Sequence, residues 1–181
     1  MVFSSISFLY YFLAVFLGLY FIVPKKIKNS ILLISSLLFY FYGEPSYILI
    51  MLLSILSGYL HGLWIDYKRN TAYAKVALIS SIVVSGGFLV FFKYTNFFIK
   101  NINHILSVKI PPLAIVMPIG ISFYTFQILS YLIDVYRGEA KVQKNFFNFA
   151  TYVALFPQLI AGPIVRYTTI ENELVSRTHT L

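Results

Sequence analysis

The chain has 181 residues, of which 59% are hydrophobic and 11% charged, and a formal net charge of +8. A soluble domain carries about 25% charged residues, so most of this chain has lipid for its solvent. Its Lys and Arg residues sit in short clusters between apolar runs, the pattern of cytoplasmic loops, which sets nucleic-acid binding aside. There is no cysteine, which excludes disulfides, thiolate metal sites and a Cys nucleophile and leaves the compartment open.

Residues 1–23 carry no charge, and the positives Lys25, Lys26 and Lys28 follow them. A cleavable signal peptide begins with a positive region. Residues 7–23 are therefore expected to be a retained span with the N-terminus outside and the first loop in the cytoplasm. A second, short apolar run covers 30–42 and ends in aromatics. The Gly43-Glu44-Pro45-Ser46 turn follows, with Pro45 holding Glu44 out of helix. The third span is 47–65, where Ser54, Gly58 and Gly62 recur every four residues and leave a small-residue face for close helix packing. Residues 66–70 are mostly basic and read as inside.

The fourth span is 73–92. Ser81, Ser85, Gly86 and Gly87 give it a small-residue side, and the Gly pair predicts a bend. Residues 93–109 mix Asn, Lys and aromatics, with Phe97, Phe98, Ile102, Ile105 and Leu106 at helical spacing. They predict an amphipathic helix lying at the outer interface. After Pro111-Pro112 a fifth span is expected over 114–136, and the basic residues of 137–144 return the chain inside. The sixth segment, 146–164, is broken or re-entrant. Pro157 removes a backbone donor, and Gly162-Pro163 breaks the helix again. In lipid the freed backbone groups need protein or a wet cavity around them. The expectation is an all-α polytopic protein of about six membrane segments plus the interfacial helix, with 1–181 forming one incomplete transmembrane domain.

Chemistry in a membrane needs a base or nucleophile held in a wet cavity. His61 shares a helical face with Ser57 and could be a buried polar relay, although packing between helices is the favoured reading. His104 falls in the interfacial segment and His179 in the polar tail. No two histidines have ligand spacing, so no metal site is expected. Asp134 lies one turn before Arg137, and the favoured reading is a pair between them. Gln127 in mid-span and Gln158 beside Pro157 must find partners in hydrocarbon. With Arg166, which can meet an anionic group or snorkel, they are the candidate polar wall of a cavity. Pro157, Gly162 and Pro163 are the helix-break positions. No phosphate loop or nucleophile elbow occurs: Gly120-Ile121-Ser122-Phe123 lacks the closing Gly.

Two stretches, MPIGISFYTFQILSYLIDVYRG and FPQLIAGPIVRY, resemble the membrane-bound O-acyltransferase family, and more narrowly its bacterial branch that O-acetylates alginate. The opening MVFSSISFLYYF, PKKIKN and the Gly43-Glu44-Pro45 turn are similar to the same branch. The resemblance implies a helical ring with a tunnel, set in a bacterial plasma membrane. It would move an acyl group from a cytoplasmic donor, such as acetyl-CoA or an acyl carrier, to an extracytoplasmic polysaccharide presented by other acetylation proteins. It also implies a catalytic histidine beyond Leu181, with none of His61, His104 or His179 matching it. The chain is then expected to be the N-terminal portion of a longer protein, inactive alone. A transporter or channel fragment and a non-catalytic membrane scaffold are the competing readings.

Overall fold

The computed structural model is all-helical and describes residues 5–24, 27–162 and 165–175. Lys25, Lys26, Pro163 and His179 lie outside the described residues. The chain opens with a wide π-helical stretch, Ser7–Leu13, that runs directly into α1, Ala14–Ile22. Phe8, Phe12 and Phe16 recur every four residues, so they share one side. They meet Phe39 and Phe156 at ring distances of 5.4 to 6.0 Å, close enough for edge-to-face attraction on top of apolar burial.

Helix α2 spans Lys28–Gly43, and a single 3-10 turn, Pro45–Tyr47, leads into α3, Ile48–Tyr67. The small-residue face of α3 packs as its spacing predicts. Ser54, Gly58 and Gly62 are buried. A Cβ on Gly58 would lie 2.6 Å from Ile128 Cγ2, and one on Gly62 would lie 3.1 Å from the Tyr131 ring. Both contacts are with α5, Ile121–Arg137.

Helix α4, Ala72–Leu106, is a single run of 35 residues, about 50 Å long. This corrects one expectation and bears on another. Gly86 and Gly87 do not interrupt the helix, and a Cβ on either would meet nothing within 4 Å. The buried stripe is instead Ala74, Ala77, Ser81 and Ser85. Residues 93–106 are also not a separate helix: no proline falls within α4, so nothing stops it before Ser107 turns left-handed at φ 53°.

The polar residues of that second half have a structural use. Asn103 exchanges two hydrogen bonds with the backbone of Ile110, at 2.7 and 2.9 Å. Asn96 does the same with Leu113, both at 2.9 Å. The two asparagines lie seven apart, two helical turns, so they clasp the chain as it runs back along α4. This return strap also shortens the fifth segment. Its prolines hold 107–119 out of helix, and α5 starts only after Gly120 at φ 75°.

Asn145 caps α6, Phe146–Ala154, by accepting from the N–H groups of Phe147 and Asn148. Helices α7, Phe156–Ala161, and α8, Tyr167–Val175, complete the described chain. The basic loops gather at one end. Arg69 Nη2 reaches the Val135 carbonyl at 3.4 Å, Tyr59 donates to the Lys144 carbonyl at 2.6 Å, and Asn29 donates to Asn148 at 2.9 Å. Among the described residues two helical stretches, Pro45–Tyr67 and Ala72–Leu106, are long and apolar enough to cross a membrane, and Phe8–Ile22 is a shorter apolar stretch.

Candidate functional site

The polar centre of the molecule is the break between α6 and α7. The break sits at Leu155, whose ψ of 112° leaves the helical range, and Pro157 opens the following helix rather than ending the preceding one. In an unbroken helix the Phe156 N–H would bond the Tyr152 carbonyl. Here Phe156 N–H donates to Ser36 Oγ on α2 at 3.2 Å. The vacated Tyr152 carbonyl accepts from Gln127 Nε2 on α5 at 2.8 Å. Two side chains from neighbouring helices thus repair the break, as a water-poor surrounding requires.

Gln127 Nε2 also lies 3.2 Å from Gln158 Oε1. Two of the three polar residues singled out in the sequence therefore meet, one buried and one half-buried. Gly162 ends α7 tightly: a Cβ there would lie 2.8 Å from Gln158 Cα in the preceding turn. The pair offers amide donors and acceptors but no group that takes up a proton near neutral pH. It is suited to line a passage, not to act as a base.

Arg166 stands apart from this pair. It is exposed and lines an open groove of about 510 Å³ with Asp134 and Arg137 at one end and apolar residues of α4 and α5 along its floor. The expected pairing of Asp134 with Arg137 is not formed. Asp134 is turned inward and only 3% exposed, while Arg137 reaches Glu139 at 3.9 Å. Asp134 Oδ2 has no hydrogen-bond partner among the described residues.

A second polar layer went unread in the sequence. Gln143 sits in a charged stretch that looks like a solvated loop, yet it is buried. Its backbone N–H donates to the Tyr131 hydroxyl and its Nε2 to the Tyr167 hydroxyl, both at 2.9 Å, while its Oε1 accepts from Asn145 N–H at 2.9 Å. The Tyr131, Tyr152 and Tyr167 rings pack edge to face around it at 4.9 and 5.3 Å. Only Ala140 and Val142 alternate with charged neighbours, a pattern that does not mark Gln143.

The histidines contribute no such site among the described residues. His61 is half-buried, its Nδ1 2.7 Å from the Ser57 carbonyl of its own helix. His104 is exposed in the last turn of α4.

An all-helical chain with apolar helices of spanning length fits a membrane protein. No family model matches the chain, and no solved structure does. Among curated proteins it is 42% identical to the probable alginate O-acetylase AlgI of Pseudomonas aeruginosa, over 100% of the chain and 36% of that protein. The protein of the same description from Azotobacter vinelandii is 40% identical over 100% of the chain and 37% of its own length. The peptidoglycan O-acetyltransferase of Helicobacter pylori is 32% identical over 93% of the chain and 37% of its own length. The chain spans about a third of the length of the curated relatives it matches. It matches an N-terminal portion of an O-acyltransferase, as the two motif stretches indicated.

Proposed function

We propose that the chain forms part of the passage of a membrane O-acetyltransferase. The enzyme would carry an acetyl group from a cytoplasmic donor, such as acetyl-CoA or an acyl carrier, to hydroxyls of an extracytoplasmic polysaccharide such as alginate. The observation that carries this is the 42% identity, along the whole chain, to a protein described as an alginate O-acetylase. Gln127 and Gln158 are wall positions, and the general base on the sugar hydroxyl is a histidine outside these 181 residues. The polysaccharide reaches the passage with the help of other acetylation proteins.

The chain sits in a bacterial plasma membrane with its N-terminus outside and crosses it with about six segments, the last re-entrant. Three contacts support the re-entrant path. Asn145 starts α6 beside the basic loops. Leu159 reaches the far end of α5, where a Cβ on Gly120 would lie 2.8 Å from it. Tyr167 is back at Gln143, 2.9 Å away.

The direct test is deletion of the gene, followed by an acetyl-ester assay on the secreted polysaccharide and complementation with the full-length protein. Loss of ester on deletion and its return on complementation are expected. Unchanged acetylation in the deletion strain overturns the proposal.

A further inference from the structure

We propose, on the reading that this chain lines an acetyl-transfer passage, that Gln143 is a positioning residue for the reaction. It ties the two ends of the α6–α7 segment together and, through Tyr167 and Tyr152, holds the Gln127 and Gln158 amides in place. A glutamine side chain accepts at one atom and donates at the other. Gln143 uses both, on opposite ends of one segment. Its Oε1 accepts from the N–H of Asn145, the residue that caps α6, at 2.9 Å. Its Nε2 donates to the hydroxyl of Tyr167, the first residue of α8, also at 2.9 Å. Between those two partners lie α6, the break and α7. The Gln143 backbone N–H donates to the Tyr131 hydroxyl on α5, which fixes the latch to a helix outside the segment.

Tyr152 joins this latch to the amide pair. Its ring packs edge to face on Tyr167 at 5.3 Å, and its hydroxyl donates to the Val165 carbonyl at 3.0 Å. Its own carbonyl accepts from Gln127 Nε2, which also reaches Gln158 Oε1. A continuous helix would fix Gln158 relative to Tyr152 through its own backbone bonds. The break at Leu155 gives that up, so the place of Gln158 depends on what pins the segment. Ser36 and Gln127 pin the break itself, and Gln143 pins the ends. Tyr131, Tyr152 and Tyr167 are all buried, and close-packed side chains pass a displacement on rather than absorb it.

The test uses membrane vesicles that hold the full-length protein with its companion acetylation proteins. The donor is acetyl-CoA or an acetylated carrier protein, whichever the wild type uses, and ester formed on the polysaccharide is measured. Gln143→Leu, and Tyr167→Phe, which removes only the hydroxyl, should each raise the donor KM by about tenfold. Thermal melts show which variants are folded. A merely structural role would reduce the amount of active protein, and so the apparent kcat, and leave KM unmoved. The double variant should raise KM no further than either single change, because the two residues act through one bond. Asn96→Ala, in the clasp on α4 and away from the latch, should leave KM as it is. An unchanged KM in folded, active Tyr167→Phe overturns the proposal, as do additive effects in the double variant. Wild-type vesicles that transfer no acetyl group from either donor would instead overturn the passage reading itself.

Discussion

Gln127 stands in for a backbone donor that the break at Leu155 removes. Replacing it by Leu leaves the Tyr152 carbonyl buried without its donor, a loss of about 1–3 kcal/mol. Thermal unfolding of the full-length Gln127→Leu protein should show that destabilisation, and polysaccharide acetylation should fall by more than protein abundance does. Gln158→Leu should cost less, because Gln158 is half-buried and water can replace its bond. Both glutamines were legible because an amide inside apolar sequence must be bonded. Arg166 lies apart from them, on the groove between α4 and α5. Asp134 and Arg137 were paired by spacing alone. Three residues of separation permit a contact on a helix but do not say which member faces the core. Gln143 was hidden by its charged neighbours, whose pattern is that of a solvated loop.

At the scale of elements, glycines with the same look behave in opposite ways. Gly58 is pressed against Ile128 and Phe149, while Gly86 faces open space. Gly58→Ala should destabilise the full-length protein by about 1–3 kcal/mol through overpacking. Gly86→Ala should be neutral or stabilising by roughly 0.5–1 kcal/mol, because a mid-helix glycine only adds backbone entropy to the unfolded chain. Melting temperature should therefore fall for Gly58→Ala and hold or rise for Gly86→Ala. The four-residue spacing made the α3 face readable. The length of α4 was not readable in the same way. Hydropathy drops after Phe92, and a drop in hydropathy looks like the end of a helix even where no helix breaker is present. The start of α5 was misplaced for the converse reason. Residues 114–119 are apolar, but Pro118 and the left-handed Gly120 keep them out of helix.

At the scale of the molecule, the contacts draw the basic segments after α1, α3 and α5 toward one end. Alternation of apolar runs and positive loops would put that end in the cytoplasm. A reporter fused after Arg69 should read cytoplasmic and one fused after Glu44 should read external. The reverse pattern would invert the proposed orientation. The helical class and its apolar runs were legible because hydropathy is summed over many residues and tolerates local error. The number of crossings turns on the shorter apolar runs, because among the described residues two helical stretches reach spanning length by themselves.

The asparagine clasp on α4 has a consequence for peptide-hydrogen exchange. Pro111 and Pro112 have no N–H, so between residues 110 and 113 only Ile110 and Leu113 carry one. Both are donated to asparagine side chains, to Asn103 and Asn96 respectively. In deuterated buffer these two amides should exchange more slowly than those of Val108 and Lys109, although all four lie on an exposed strap. Asn96→Ala should free Leu113 to exchange quickly while Ile110 stays slow, so that deuterium uptake reads the two ends of the clasp independently.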